Sequence, residues 1–257
     1  MKVIIPMVGL GSRFKNAGYK DIKPLIKVHN KPIIEWVTTM FSSEDEFVFI
    51  CRDTHLEHTN LHKVLTDLNL NSEIISIPGH KKGPMMSLNP IKEKLSSWTN
   101  ILISYCDYFM NWDYEGFKRD INKFNPEGSI VCYKGFHPHL LVPHNVYAGC
   151  TQENGWLTAI KEKHSFTSTK TKGYHSVGLH YIKSGKLLCD MWHKMHEQQI
   201  TFNNEYYVSM LYHVLLEHNH KIRCFDDVTH FCQWGTPYDL EDYLFWMKSS
   251  LSQKESA

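Results

Sequence analysis

The chain has 257 residues, 42% of them hydrophobic, which is enough to bury the core of one domain. Its formal net charge of +1 excludes a general attraction to nucleic acid or acidic membranes, so any anion site has to be local. No apolar run approaches the roughly 20 residues that span a bilayer, no signal peptide is recognisable, and the seven cysteines form no C-x-x-C pair. We therefore expect a cytoplasmic protein with reduced cysteines and with neither a nucleic-acid nor a membrane partner.

The first 25 residues combine a buried strand, a glycine-rich loop and two cations. After the apolar run at 3–6 come small or basic residues suited to contact phosphates: Gly9, Gly11, Ser12, Arg13 and Lys23. Glycines at the end of a strand expose backbone N–H groups that bind anions, and arginine and lysine add positive charge. This order predicts a polyphosphate site, although a short glycine motif alone also occurs in turns that bind nothing.

The segments GLGSRF at 9–14 and KPLI at 23–26 resemble the signature of the nucleotidyltransferases that activate sugar phosphates and similar phosphate esters. Members of that family join a nucleoside triphosphate to a phosphorylated substrate and release pyrophosphate. The resemblance covers nearly the whole chain and is close again at GTPYDL, residues 235–240. It implies that the chain has the same activity.

Strands and helices alternate through the first half of the chain. Apolar runs predict strands at 3–6, 46–51, 72–77 and 100–104, and helical spacing predicts helices at 33–40, 54–68 and 114–124. This alternation indicates an α/β fold with a Rossmann-like, mostly parallel central sheet and crossover helices. From about residue 126, aromatic residues and histidines become frequent, which predicts a smaller mixed β portion that binds the acceptor.

The second half is predicted to contain strands, a hairpin and three helices. We expect strands at 129–133, 176–182 and 222–225, a hairpin over 146–160 with Asn154-Gly155 at its turn, and helices at 186–196, from 202–207 to 216, and at 240–248. The whole is predicted to be a single domain at 1–250, with a nucleotide-binding half at 1–125, an acceptor-binding half at 126–250 and a frayed tail at 251–257.

Two further loops are expected at the carboxyl edge of the sheet, where ligands bind in doubly wound folds. The resemblance implies that Gly83 meets the nucleobase and that Ser87 lies near the ribose or base; a Pro-Gly turn with solvated lysines fits this composition equally well. Asp107 directly follows the strand at 100–104 and matches the metal-binding aspartate of the family, so we expect it to hold Mg²⁺. A capping aspartate is the alternative.

The acceptor-binding residues are identified by the resemblance alone. Glu162-Lys163 matches a Glu-Lys pair whose lysine holds the acceptor's phosphate, and Glu205 matches an acidic residue that faces the acceptor at a helix start. Gly149 and Gly178 complete the expected substrate-binding set. Without the resemblance, a K-E-K run is usually solvated surface, and Glu205 would suit the first turn of a helix.

The segment before GTPYDL departs from the family at one position. Many members carry a second metal-binding aspartate two residues before the glycine, where this chain has Gln233. A neutral amide is a poorer ligand for Mg²⁺ than a carboxylate. Asp226, Asp227 and Glu205 are the expected alternative sources, while Asp239 is expected to cap the terminal helix.

The 17 histidines are unusual for this length, and His55, His58 and His62 could share one helical face. No cysteine or carboxylate completes a known zinc-ligand spacing around them. Solvated or core positions therefore explain the histidines better than metal binding does.

The implied reaction needs no protein nucleophile, because the acceptor's phosphate oxygen is already anionic. The protein has to align and screen two anions, with Arg13 at the β and γ phosphates, Lys23 at the α phosphate and Lys163 at the acceptor. A nucleotide-sugar-dependent glycosyltransferase is an alternative, but the D-x-D pair of such enzymes is absent from residues 106–109. A nucleotide-binding regulatory protein without activity would not need Arg13, Lys23 and Asp107 together.

Two segments bear on the substrates. Residues 133–139 (YKGFHPH) and 233–237 (QWGTP) resemble a branch of the family associated with bacterial surface polysaccharides, including capsules. The resemblance favours CTP as donor and a small phosphorylated acceptor such as a sugar phosphate. The sequence gives no indication of the oligomeric state, and a homo-oligomer is compatible with it.

Overall fold

A computed structural model describes residues 1–142 and 147–254, in which a nine-stranded mixed sheet is the central element. The strands are β1 (Lys2–Met7), β2 (Lys27–Val28), β3 (Lys31–Pro32), β4 (Glu46–Arg52), β5 (Ser72–Ile77), β6 (Thr99–Ser104), β7 (Tyr108–Trp112), β8 (Gly128–Tyr133), β9 (Gly149–Glu153), β10 (Trp156–Lys161), β11 (Tyr174–Ser184), β12 (Ile222–Phe225) and β13 (Val228–Gln233). The helices are α1 (Ser12–Asn16), α2 (Ile33–Thr38), α3 (Asp53–His58), α4 (Leu61–Asp67), α5 (Lys92–Ser96), α6 (Tyr114–Phe124), α7 (Gly185–Glu197), α8 (Val208–Glu217) and α9 (Pro237–Lys254). The sheet order is β5-β4-β1-β6-β11-β8-β12-β10-β9, and β13-β7 and β2-β3 form two small sheets.

The amino-terminal half of the large sheet is parallel. Strands β5, β4, β1 and β6 all run in the same direction, with Val3 of β1 opposite both Phe47 and Leu102. Their carboxyl ends therefore meet at one edge of the sheet. From β11 onward the sheet is mixed, because β11 is antiparallel to β6 and β8 while β12 is parallel to β8. The predicted α/β fold is confirmed, with the parallel arrangement limited mainly to this half.

Both faces of the sheet are covered. Val3 and Ile5 of β1 enter the same apolar cluster as Phe117 of α6, whereas Ile4, between them, enters the cluster of Leu188 of α7 on the other face. A strand buried on both sides has to be apolar at every position, which explains the continuous run at 3–6. Full burial of each such side chain contributes about 1.5–3 kcal/mol.

The predicted helix at 54–68 is two helices, α3 and α4. Thr59 adopts an extended conformation with φ −133° and ψ 173°, and its hydroxyl accepts a hydrogen bond from the N–H of Leu61 at 3.2 Å. A threonine that bonds the following backbone in this way competes with helix continuation. The chain consequently turns between the two helices.

The segment 202–207, predicted to start a helix, is not helical. Phe202 and Glu205 form an isolated antiparallel bridge, and Asn203 and Asn204 between them have φ of 51° and 61°. Asparagine tolerates this left-handed conformation better than most residues. Helix α8 begins only at Val208, so Glu205 lies in a turn before the helix and not in its first turn.

The hairpin and the last helix of the acceptor half were predicted with different accuracy. The hairpin is confirmed for β9 and β10, with Asn154 and Gly155 at φ of 52° and 79°; residue 146 of the predicted span lies outside the described residues. Helix α9 extends to Lys254 and takes in the first four residues of the predicted tail, while residues 255–257 lie outside the described part.

Six of the seven cysteines are buried, Cys106 is partly exposed, and all seven are free. Among the helices of residues 1–142 and 147–254, none is both long and apolar enough to cross a bilayer.

Candidate active site

A cleft of about 940 Å³ opens at the carboxyl edge of the parallel strands. The segments that follow β1, β4, β5 and β6 border one side of it, as expected for ligand sites in open α/β sheets. Apart from the alternative carboxylates Asp226 and Asp227, all but one of the residues expected from the sequence line this cleft: Gly9, Gly11, Ser12, Arg13, Lys23, Gly83, Ser87, Asp107, Glu162, Lys163, Gly178 and Glu205. The cleft therefore contains both the expected nucleotide-binding and the expected acceptor-binding groups.

Gly149 is the exception, and its expected substrate contact is not supported. It lies at the start of β9, where a side-chain carbon would come within 2.3 Å of the carbonyl oxygen of His164. Its glycine is therefore required by close packing between two backbone segments. The preceding residue, Ala148, borders the cleft instead.

The glycine loop leaves room for a ligand beside the backbone. A side-chain carbon added to Gly9 or Gly11 would meet no atom within 4 Å. Gly11 has φ of 60°, a conformation that glycine adopts without strain. Ser12 and Arg13 follow it with exposed side chains. This open space above the backbone suits a phosphate chain.

Lys23 and Asp107 form an ion pair inside the cleft. The Lys23 Nζ donates to Asp107 Oδ2 at 3.0 Å, and the two side chains are 23% and 24% exposed. Burial lowers the pKa of Lys23 and is the largest single effect, but the charges of Asp107 and Cys106 and the hydrogen bond to Asp107 together outweigh it, so the pKa is raised. Lys23 is thus a fixed cation beside the glycine loop, and the expected meeting of loop, cations and carboxylate is observed.

A small sheet that was not predicted positions Asp107. Strand β7 starts directly after Asp107 and pairs with β13, with Gln233 opposite Tyr108. The N–H of Trp234 also donates to the carbonyl oxygen of Asp107 at 2.9 Å. A side-chain carbon on Gly235 would lie 3.2 Å from Asp107 Oδ2, which explains the glycine at the start of GTPYDL.

The start of α9 differs from expectation. Thr236, not Asp239, caps the helix, because its hydroxyl accepts the N–H of Asp239 at 3.2 Å. The Asp239 carboxylate lines the cleft and accepts hydrogen bonds at Oδ2 from the Thr236 hydroxyl and from Gln233 Nε2. Gln233 Oε1 is buried and has no hydrogen-bond partner.

Of the three expected alternative carboxylates, two lie outside the cleft. Asp226 and Asp227 do not border the cleft. They connect β12 to β13, and the carbonyl oxygen of Asp227 accepts the N–H of Asp113. Glu205 does border the cleft, next to Tyr207 in the acceptor half.

The loop at 78–84 is tied to the acceptor half by backbone hydrogen bonds. The N–H of Tyr206 donates to the carbonyl oxygen of Lys82 at 2.9 Å, and the N–H of Met85 donates to that of Tyr206 at 3.1 Å. Gly83 lies between them with φ of 86°, and a side-chain carbon there would be 2.6 Å from the Tyr206 nitrogen. The candidate nucleobase loop and the segment carrying Glu205 are therefore in direct backbone contact.

His80 is a cleft residue that the sequence analysis missed. The N–H of Lys82 donates to His80 Nδ1 at 3.3 Å, and His80 Nε2 lies 3.2 Å from the hydroxyl oxygen of Ser87. Burial, and then the charge of Lys82, lower the pKa of His80. A neutral ring that accepts at Nδ1 carries its proton on Nε2, so it donates to Ser87. The Ser87 hydroxyl proton is then free to be donated to a ligand.

The side of the cleft that is expected to bind the acceptor is formed by residues after β10 and around the start of α8. Lys163 Nζ donates to the Tyr207 hydroxyl at 3.1 Å and lies 5.0 Å from the centre of the Phe202 ring. Glu162 accepts a hydrogen bond from the Ser209 hydroxyl. Burial raises the pKa of Glu162, and the charge of Glu205 raises it further. Tyr207, Ser209 and Phe202 were not predicted as contributors.

A bulge in β11 brings another unpredicted histidine to the cleft. Gly178 has φ of 90°, and a side-chain carbon there would lie 2.7 Å from the Tyr105 ring. The pairing of β11 with β8 shifts between Ser176 and His180. His180 is 1% exposed, and burial lowers its pKa to about 3, so its ring is neutral. A glycine inside a strand was the available signal for this bulge.

The donor set around Asp107 fits Mg²⁺ carried by a triphosphate. Among the residues described, no three His, Cys, Asp or Glu side chains are arranged to hold a metal ion by themselves. Mg²⁺ does not need such a cage, because it usually binds one or two carboxylates together with substrate phosphates and water. Asp107, Asp239 and the unpaired Gln233 oxygen are all hard oxygen donors of the kind it prefers.

No protein-family model matches the chain, and no curated protein matches it in sequence. Solved structures do match it in fold. A nucleoside-diphosphate-sugar pyrophosphorylase from Vibrio cholerae RC9 aligns over 94% of this chain and 99% of its own, with 18% identity and a TM-score of 0.76. The chain has the fold of the nucleotidyltransferases.

Two further solved structures share this fold. An inositol-1-phosphate CTP transferase from T. maritima aligns over 93% of this chain and 90% of its own, with 13% identity and a TM-score of 0.70. UTP-bound UGPase from Acinetobacter baumannii aligns over 96% and 92%, with 14% identity and a TM-score of 0.68. The fold expected from the glycine loop and the GTPYDL segment is confirmed, whereas the roles of individual site residues stay predictions.

Proposed function

We propose that this protein is a cytoplasmic nucleotidyltransferase that joins a nucleoside triphosphate to a small phosphorylated acceptor and releases pyrophosphate. The observation that supports this most strongly is the Lys23–Asp107 pair, 3.0 Å apart, beside the glycine loop. Glu162 and Lys163 line the same cleft. Two anions that have to react can therefore be bound in one cavity.

The triphosphate binds along the glycine loop. Backbone N–H groups around Gly9 and Gly11 contact its oxygens, the Arg13 guanidinium pairs with the β and γ phosphates, and Lys23 contacts the α phosphate. Asp107 would hold Mg²⁺, which would screen the phosphate charges. These groups stabilise negative charge as it develops on the departing pyrophosphate.

The acceptor binds between β10 and α8. Lys163 is held in place by the Tyr207 hydroxyl and two aromatic faces, so its ammonium group offers a fixed charge for the acceptor's phosphate. Glu162 and Glu205 accept hydrogen bonds from hydroxyl groups on the remainder of the acceptor. Alignment of the acceptor oxygen with the α phosphate provides most of the rate enhancement, because no protein nucleophile is needed.

CTP and a sugar phosphate are the proposed substrates, for the synthesis of surface-polysaccharide precursors. The resemblance of residues 133–139 and 233–237 to that branch supports this choice, and one structural neighbour is named as a CTP transferase. The free Ser87 hydroxyl proton, set by His80, suits an acceptor atom on a base, such as O2 or N3 of cytosine.

Pyrophosphate release tests the proposal. The purified protein is incubated with MgCl₂, each of the four ribonucleoside triphosphates and dTTP, and a panel of sugar and polyol phosphates. We expect release with one preferred nucleotide, CTP, and only when an acceptor is present. A nucleotide-sugar product without pyrophosphate, or no reaction with any pair, would reject the proposal.

A further inference from the structure

We propose that Asp239 provides the second carboxylate of the divalent-cation site, and that Gln233 positions this carboxylate and adds its own amide oxygen as a neutral ligand. The inference rests on the proposed function, since the cation would be the one carried by the triphosphate. It gives the first turn of α9 a role in the reaction beyond helix capping.

The two groups flank the same small space as Asp107. A side-chain carbon on Gly235 would lie 3.2 Å from Asp107 Oδ2 and 4.0 Å from Gln233 Nε2. Glycine places no side chain in this space. The backbone bond from Trp234 N–H to the Asp107 carbonyl oxygen, at 2.9 Å, fixes the end of β13 against Asp107. A small cation could therefore contact oxygens from both segments.

The Asp239 carboxylate is held with one oxygen free. Both of its side-chain hydrogen bonds, from Gln233 Nε2 and from the Thr236 hydroxyl, fall on Oδ2. Within the part of the chain that the structure describes, Oδ1 has no such partner and the residue lines the cleft. Asp107 and Arg13 line the same cleft as Asp239.

Two carboxylates in the same desolvated region repel each other unless a cation lies between them. Lys23 pairs with Asp107 at 3.0 Å, whereas Asp239 is bonded only by the neutral Gln233 and Thr236 groups among the residues described. A divalent cation that binds both would turn this repulsion into coordination.

Gln233 provides an independent indication of a ligand. The residue is 5% exposed, and its Oε1 is buried without a partner, although buried polar atoms in proteins are nearly always paired. Rotating the amide to reverse N and O would point the oxygen at the Asp239 carboxylate, which is unfavourable because both would be acceptors. Asp239 thus fixes the amide so that its oxygen remains available.

This arrangement explains the absence of an aspartate at position 233. The anionic ligand is supplied six residues later in the chain, and Gln233 links the two positions by its N–H group. Asp226 and Asp227, the other nearby carboxylates, do not border the cleft. Asp226 therefore serves as a matched control.

A titration of the protein with MnCl₂ tests the inference without requiring turnover. The electron paramagnetic resonance signal of the free ion gives the dissociation constant. Asp239→Asn keeps the hydrogen bonds to Thr236 and Gln233 but removes the charge. We expect its Mn²⁺ dissociation constant to rise about 10–100-fold, while Asp226→Asn stays within about twofold of wild type. The double variant Gln233→Asp/Asp239→Asn moves the charge to position 233 and is expected to regain most of the affinity. An unchanged affinity in Asp239→Asn, or no recovery in the double variant, would overturn the inference.

Thermal melting checks that each variant is folded. If Asp239→Asn were unfolded at the assay temperature, Gln233→Met would test the same site, because Thr236 still caps α9. Here too a weaker Mn²⁺ affinity supports the inference and an unchanged affinity refutes it.

The proposed function and the proposed role of Asp239 fail separately. Wild-type protein that releases pyrophosphate while Asp239→Asn binds Mn²⁺ normally rejects only the role of Asp239. Absence of pyrophosphate release with a clear Mn²⁺ effect rejects only the transferase reaction.

Discussion

Gly83→Ala should disconnect the candidate nucleobase loop from the acceptor half. Gly83 has φ of 86°, and the added carbon would lie 2.6 Å from both the nitrogen and the carbonyl oxygen of Tyr206. These are backbone atoms, so the contact cannot be relieved by rotating a side chain. We expect the loop to move away and to break the bonds from Tyr206 to Lys82 and from Met85 to Tyr206.

Gly18 provides a matched control for the size of this effect. It has the same φ of 86°, but a carbon added there would meet nothing within 4 Å. Gly18→Ala therefore costs only the backbone strain, roughly 1–2 kcal/mol. Gly83 also has ψ of 167°, a conformation that essentially only glycine adopts, and Gly83→Ala adds overpacking, typically about 1–3 kcal/mol. At about 2–4 °C per kcal/mol for a chain of this size, the overpacking alone should place its Tm roughly 2–12 °C below that of Gly18→Ala.

Differential scanning calorimetry measures the two Tm values, and steady-state kinetics measures the functional effect. Because Tyr206 lies between Glu205 and Tyr207, Gly83→Ala should raise KM for the acceptor as well as for the nucleotide. Gly18→Ala should leave both unchanged. Equal Tm values for the two variants, or a raised KM for the nucleotide alone, would show that the loop and the acceptor segment are not coupled through Tyr206.

Three further predictions concern single charges. Arg13→Ala and Lys23→Ala should each lower kcat by about 10²–10³-fold, the usual loss for one group that stabilises transition-state charge, with the fold retained by circular dichroism. Lys163→Ala should raise KM for the acceptor more than KM for the nucleotide. Burial raises the pKa of Glu162 above its ordinary value of 4.5. The protonated side chain therefore contributes stability that is fully present below pH 4.5 and is lost as the pH rises through the raised pKa. Glu162→Gln should consequently raise Tm at pH 7 but leave it unchanged at pH 4, while reducing activity.

Each of these predictions has a control on the same element or in the same half. Lys15→Ala, in α1 and outside the cleft, should leave kcat unchanged, and so should Lys161→Ala at the exposed end of β10. Glu153→Gln, exposed on β9, should not change the Tm at either pH. A wild-type rate in both Arg13→Ala and Lys23→Ala, equal KM changes in Lys163→Ala, or a lower Tm of Glu162→Gln at pH 7 would contradict the corresponding assignment.

Local patterns predicted the nucleotide half of the fold well. The apolar run at 3–6 is buried on both faces, as predicted for an interior strand, and glycines at 9 and 11 follow it where the chain turns. The Asn154-Gly155 turn was equally legible, because left-handed residues at both central positions select a tight hairpin. In each case a few adjacent residues determine the structure.

The surroundings of Asp107 could not be predicted in the same way. Strands β7 and β13 are far apart in the chain, and they pair only through the tertiary fold. Without that pairing, nothing in the sequence brings Gln233 beside Tyr108 or Asp239 into the cleft. Asp239 was expected only to cap a helix, because a capping position and a cleft position look identical in sequence.

His80 and His180, two of the histidines that line the cleft, were missed for a related reason. His80 is informative only through its bonds to Lys82 and Ser87, and His180 reaches the cleft through the bulge at Gly178. Neither lies in a recognisable motif. Their roles depend on tertiary contacts that a pattern of residue types does not encode.

A crystal soaked with MnCl₂ and the α,β-methylene analogue of CTP tests the central claim most directly. We expect the phosphate chain against the backbone of Gly9 to Ser12, with Arg13 and Lys23 within hydrogen-bond distance of it and the anomalous Mn²⁺ signal beside Asp107. Phosphates bound at any other edge of the sheet, or a Mn²⁺ signal remote from Asp107, would contradict the account.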